Sequence, residues 1–260
     1  MRKMFKSFGI QLIAIILVVM GGFSLLQPKI ENYFYLREIK KNNLIARETA
    51  QKVTKMRTEA RDPLLEELLN KIPEEYYLEV PFICQAPLET EKNWTLHEES
   101  CEEAALLQAY LHETGKTMTK EEANKEILSM ISWQKENLGG HHDLYAEEMV
   151  KFVVGFYDIP EENITVIKNA TIEDIKRNIV NGHAVIVPIT GQILKNPYYP
   201  YPGYHMLTVI GFTKNRIITN DNGTRHGKDF SYENDIFMTA MKDAGGNIII
   251  LNLNTNLSTP

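Results

Sequence analysis

The chain has 260 residues, 43% hydrophobic and 24% charged, with a formal net charge of -6. This is ordinary globular composition, enough for one sizeable domain with additional segments. It carries no basic stripe or Arg-rich run, which argues against nucleic acid as a partner. Two cysteines, Cys84 and Cys101, exclude a disulfide scaffold and leave a single Cys84–Cys101 bridge as the only one an oxidising compartment could form.

At the N-terminus, Arg2, Lys3 and Lys6 precede an apolar run from Phe8 to Leu26, broken only by Gln11, Ser24 and glycines. The run is long enough to span a bilayer. No Ala-x-Ala cleavage site follows, and Leu25-Leu26-Gln27-Pro28 is a poor substitute, so residues 1–30 read as an uncleaved anchor rather than a removed signal peptide. The positive charges keep that end in the cytoplasm. The expectation is a single-pass cell-membrane protein with its catalytic domain on the extracytoplasmic side, a secreted protein being the alternative. Residues 31–75 are charge-rich. Ile39, Leu44, Ala46, Ala50, Val53 and Met56 give them a weak helical period, which Asp62-Pro63 breaks. A short helix, Leu64 to Lys71, follows. The segment reads as a charged helical stalk or linker.

The main domain is expected over 76–260. A strand over Tyr77–Ile83 leads into a polar loop, 85–99, that contains Pro87 and Trp94. A helix follows from Cys101 to about His112, ended by Gly115. Thr119-Lys120-Glu121-Glu122 is a capping box that starts a helix reaching about Ser132. Asp143 caps another, running to about Phe156, and Thr171-Ile172-Glu173-Asp174 starts one closed by Asn181-Gly182. Ala184–Ile189 is a buried-type strand. His205–Phe212 and Arg216–Asn220 form a hairpin turned at Lys214-Asn215. A helix over Tyr232–Lys242 and a strand over Asn247–Asn252 complete the chain. Helices first and antiparallel strands later argue for an α+β fold.

Cys101 therefore opens a helix, His205 opens an apolar strand, and Asp221 follows the paired strand. A thiol acts as a nucleophile only when ionised, and the partial positive charge of a helix N-terminus favours that state. Glu98, Glu99, Glu102 and Glu103 oppose it and are expected to face solvent. His205 can take the thiol proton and return it to a leaving amine, while Asp221 fixes the ring. Asn220 is the alternative orienting residue. Taken alone, Asn220-Asp221-Asn222-Gly223-Thr224 also reads as an Asx turn. The Gln85 amide and the Cys101 backbone N–H can supply donors to a developing oxyanion.

The motifs Val80-Pro81-Phe82-Ile83-Cys84-Gln85-Ala86-Pro87, Trp94, Ser100-Cys101-Glu102-Glu103-Ala104-Ala105, Gly203-Tyr204-His205-Met206-Leu207-Thr208-Val209-Ile210-Gly211-Phe212 and Asn220-Asp221-Asn222-Gly223-Thr224 resemble those of papain-like cysteine peptidases. They are most similar to the branch related to double-glycine-leader (bacteriocin-processing) peptidases. The resemblance covers about Leu78 to Leu253. It implies a papain-like fold with Cys101 as nucleophile, His205 as base, Asp221 orienting the histidine and Gln85 in the oxyanion hole. It also implies a peptide or protein substrate. One departure is Glu102, where the family usually has Gly; a side chain there would crowd the cleft floor or alter which substrate fits. Another is that the bacteriocin-processing members adjoin transporter domains, so specificity for double-glycine leaders does not carry over.

Trp94, Tyr204 and Glu102 are the candidate substrate-contacting residues. Tyr198, Tyr199, Tyr201 and Tyr204, interleaved with prolines, form a possible substrate rim or simply a stiffened loop. His226 is an alternative base without a following strand to hold it. His141-His142-Asp143 lacks further ligands at metal-site spacing, so no metal and no cofactor is expected. Cys84 reads as a buried, inert thiol. The functional expectation is a membrane-tethered cysteine peptidase or amidase. The alternative is a catalytically silent papain-like module that binds a peptide or cell-surface ligand. Transfer of the acyl group to an amine instead of water starts with the same half-reaction.

Overall fold

The computed structural model describes residues 2–59, 72–198 and 203–253, and in its first helix it describes side chains only at residues 27 and 29–56. That first helix, α1, spans Arg2–Glu59. The apolar run 8–26 lies outside the described side chains, and the expected helix 64–71 lies outside the described residues. Among the described residues no helix is long and apolar enough to cross a membrane. The chain divides into two compact units, residues 1–42 and 43–260. The second unit thus includes the end of α1, well before the expected domain start at Tyr76.

In the second unit, β1 is only Tyr76–Tyr77. The expected strand continued to Ile83, but Pro81 has no N–H for a ladder, and the segment runs on as irregular chain. The polar loop contains a short helix, α2 (Glu91–Leu96), capped by the Thr90 side chain accepting from the Asn93 N–H. Helix α3 is Cys101–Thr114, and Gly115 ends it in the left-handed region. Helix α4, Lys120–Asn137, starts at the expected capping box of Thr119 and Glu122 but runs five residues past Ser132. Helix α5, Ala146–Tyr157, has Tyr145 rather than Asp143 at its cap. Strand β2 (Ile164–Ile167) is followed by α6 (Ile172–Val180), β3 (Val185–Thr190) and a single turn, α7 (Gly191–Leu194). Then come β4 (Tyr204–Phe212), β5 (Arg216–Asn220), β6 (Phe230–Glu233), α8 (Asn234–Asp243) and β7 (Ile248–Leu251).

The strands form one antiparallel sheet in the order β2-β7-β3-β4-β5-β6, with β1 paired to β4. This is the expected α+β arrangement, helices first and sheet second. Strands β2 and β6 are the additions; each is four residues long, too short to establish a period. Strand β4 is buried along almost its whole length, as expected for a central strand covered on both faces. Helix α3 crosses it, and Thr208 fixes the crossing by donating its hydroxyl to the Ala105 carbonyl at 3.2 Å. On α3 the residues Ala104, Ala105, Leu106, Leu107, Ala109 and Leu111 are all fully buried. The alanines let the helix approach the sheet, and the leucines fill the space beside it. This packing carries the head of α3 to the start of β4.

Candidate active site

Cys101 is the first residue of α3 and is buried. The backbone of Met206, the residue after His205, favours the thiolate. Larger effects oppose it. Burial comes first, then the charge of Glu102 and the hydrogen bond the thiol donates to it, and together they hold the Cys101 thiol well above its usual value. That bond, Sγ to Glu102 Oε2, is 3.0 Å long.

His205 Nε2 lies 3.0 Å from Asp221 Oδ1, and both residues are buried. The hairpin register places Thr208 opposite Asn220, so Asp221, just past the end of β5, runs on beside the first residues of β4, His205 among them. Oδ1 of Asp221 also accepts the Gly223 N–H at 3.2 Å. The Asx turn and the histidine pair therefore coexist on one carboxylate. Oδ2 accepts from Asn196 Nδ2 at 3.0 Å and from the Tyr232 hydroxyl. Burial by itself would raise Asp221, but the bonds from His205, Tyr232 and Asn196 outweigh it, and the carboxyl sits below its usual range. A carboxylate so satisfied stays charged and holds the imidazole in one orientation.

Asn222 ties the two limbs of the site together. Its side-chain amide donates to the Cys101 carbonyl at 2.9 Å and to the Met206 carbonyl at 3.0 Å. Sequence reasoning read Asn222 only as a turn residue and missed Asn196 and Tyr232 altogether. Asn196 sits before a proline in a loop, and Tyr232 lies on the unrecognised β6, so neither carried a local signal.

Gln85 is buried beside the same segment. Its backbone N–H donates to the Asn222 carbonyl at 3.0 Å. Its side-chain amide donates to the His97 and Glu98 carbonyls, each at 2.9 Å. Both amide hydrogens thus hold the turn leading into Cys101, and one bond must open before Gln85 can donate to an oxyanion.

The four glutamates divide. Glu98 and Glu99 are exposed, as expected, whereas Glu102 and Glu103 are buried. The segment between α4 and α5 folds over the helix head and covers them. The Leu144 N–H donates to Glu102 Oε1 at 2.9 Å, and Tyr204 donates its hydroxyl to the Leu144 carbonyl at 2.7 Å. Gln134 bonds Glu103, and His141 Nε2 lies 3.0 Å from the same carboxylate. Burial, reinforced by the neighbouring Glu103, raises Glu102 from 4.5 to about 8. The usual charged, solvated side chain of a first helical turn is here a partly protonated acid against the sulfur.

The remaining candidates fall outside this cluster. Trp94 is half-exposed on α2. His226 is exposed and packs tilted against Tyr198, ring centroids 4.6 Å apart. His142 lies 3.6 Å from Glu148. Tyr199 and Tyr201 of the expected rim lie outside the described residues. Both cysteines are free, so the Cys84–Cys101 bridge is not formed. Burial lifts Cys84 to about 12, which leaves it unreactive at neutral pH.

A family model described as the Peptidase_C39 like family matches residues 77–243, a span that includes Gln85, Cys101, His205 and Asp221. No curated protein matches the chain. Among solved structures, the chain is similar to one described as a "putative C39-like peptidase from Bacillus anthracis". The two are 14% identical with a TM-score of 0.50, over 69% of this chain and 98% of the other. At that identity the likeness concerns the fold alone.

Proposed function

The chain belongs to the Peptidase_C39 like family, and from that premise we propose that it is a cysteine peptidase working through an acyl-enzyme on Cys101. One observation carries this reading. A buried His205–Asp221 pair stands at the start of β4, and the side-chain amide of Asn222, next to Asp221, joins the Cys101 and Met206 carbonyls. Asp221 engages Nε2, so the proton passes between the thiol and Nδ1. The sulfur attacks the peptide carbonyl, the C–S bond forms as the carbonyl π electrons move onto oxygen, and the C–N bond breaks when they return. His205 returns the proton to the departing amine. Water, activated by the same imidazole, then releases the acid. The N–H groups at the head of α3 face the developing oxyanion, and Gln85 joins them if substrate displaces the turn it holds. Of the expected substrate contacts, Tyr204 and Trp94 keep exposed surface and are proposed in that role, whereas Glu102 is buried beside the sulfur and acts on the thiol. The apolar run 8–26 behind Arg2, Lys3 and Lys6 supports tethering to the cell membrane with the catalytic unit outside the cytoplasm.

A second reading, a silent peptide-binding module, is favoured by the Sγ–Glu102 contact, which disfavours the thiolate. Intact mass after exposure to a peptidyl vinyl sulfone separates the two. A peptidase gains one adduct, mapped to Cys101 and lost in His205→Ala. A silent module gains none in the time an ordinary thiol would need.

A further inference from the structure

The end of α1 meets the loop that follows Asp221 at Asp229. Asp229 adopts a φ of +58°, a region that a non-glycine residue occupies only when its surroundings over-determine it. Its surroundings do so. Oδ1 accepts the Tyr77 hydroxyl at 2.6 Å, Oδ2 accepts Arg47 Nη2 at 2.6 Å, and its carbonyl accepts Asn43 Nδ2 at 2.5 Å. Its own N–H points to Asn220 Oδ1 at 3.4 Å. Arg47 also donates to the Tyr77 hydroxyl at 2.7 Å and stacks over that ring at 4.3 Å. Asn43 and Arg47 lie one helical turn apart, so both project from one face of α1.

Asp229 closes the loop that begins at Asp221. The Asp221 N–H donates to the Gly227 carbonyl at 2.9 Å, and Phe230 N–H returns to that carbonyl at 3.3 Å. A Cβ on Gly227 would lie 1.7 Å from the Asp221 carbonyl oxygen. The two limbs are in backbone contact with no room between them. A shift of the Asp229 limb therefore moves Asp221, and with it the carboxylate that orients His205.

We infer that Arg47 and Asn43 are positioning residues for the catalytic pair, clamping Asp229 and so setting the Asp221 carboxylate against His205. This rests on the peptidase reading and adds to it that the later part of α1 controls how well the pair is aligned. Whatever detaches residues 43–59 from the domain would lower reactivity without touching the cleft.

The test uses the full chain carrying Cys84→Ala, with iodoacetamide as the probe of Cys101 and its labelling rate followed from pH 5 to 9. Arg47→Ala and Tyr77→Phe should each slow labelling at neutral pH by about tenfold, the scale expected of a displaced orienting group. They should also weaken the low-pH limb that an imidazole-activated thiol shows. Arg47→Lys should recover part of the rate, and Lys52→Ala, an exposed residue of the same helix, should match the parent. Thermal melts run alongside separate misfolding from misalignment, and Tyr77→Phe keeps the ring packing if Arg47→Ala does not fold. Parent-like labelling profiles in Arg47→Ala or Tyr77→Phe would overturn the inference. A His205→Ala variant that labels like the parent would instead overturn the peptidase reading itself.

Discussion

Replacing Glu102 by Gln tests the electrostatics of the site most directly. The change keeps the shape and the oxygen that accepts the Leu144 N–H, and it removes the ionisable group. In the fold Glu102 is raised from 4.5 to about 8, first by burial and then by Glu103. Between those values the folded protein holds a proton that the unfolded chain has released, so stability falls as pH rises through the interval. At about 1.4 kcal/mol per unit, the rise corresponds to on the order of 5 kcal/mol. That stability is fully present below pH 4.5 and lost as pH climbs through about 8. Glu102→Gln should flatten this slope, and at pH 9 the variant should melt above the parent. The thiol follows the same switch. Below about 8 the neutral acid does not repel a thiolate; above it, a full charge stands 3.0 Å from the sulfur. Parent and variant should therefore alkylate at similar rates near pH 6 and diverge above pH 8, the variant being about tenfold or more faster at pH 9. The assay is iodoacetamide labelling in the Cys84→Ala background, read by intact mass, with melts in the same buffers. Superimposable labelling profiles from pH 6 to 10, or an unchanged slope of stability, would refute the placement of this carboxyl against the sulfur.

Other substitutions bear on the remaining parts. Asp221→Asn should cost about 100-fold in peptide turnover, because the imidazole loses its charged partner. Since Asp221 lies below 3.8 in the fold, the stability it gives is present above that value and lost in more acid solution; the variant's melting temperature should depend less on pH below 3.8. Gly223→Ala places a Cβ 3.0 Å from His205 Cε1 and 3.1 Å from Nε2. The ring must move, and Cys101 labelling should slow by about tenfold with little change in the melt. Asn222→Ala removes both bonds that join Cys101 and Met206, and denaturant unfolding should show a loss of about 2 kcal/mol.

The placement of the candidate residues was legible where each carried a local structural signal. Cys101 preceded a helical pattern closed by Gly115, His205 opened an apolar run, and Asp221 ended the partner strand of a recognisable hairpin. Helix starts were readable wherever the cap was a Thr with an acid three residues on, as at Thr119 and Thr171. What failed was any property set by distant chain. Acids at a helix start are normally solvated, and nothing near Glu102 or Glu103 announces that Gln134, His141 and Leu144 will close over them. The charged pattern of residues 31–75 likewise read as a solvated stalk, although Asn43 and Arg47 spend their polar atoms on Asp229, nearly two hundred residues away. The misreading of Glu102 and Glu103 has a general cause. A polar side chain looks the same in sequence whether water or protein satisfies it, so hydrophobic periodicity reveals the core but not the buried polar contacts. In this chain those contacts lie against the Cys101 sulfur and against the loop that follows Asp221.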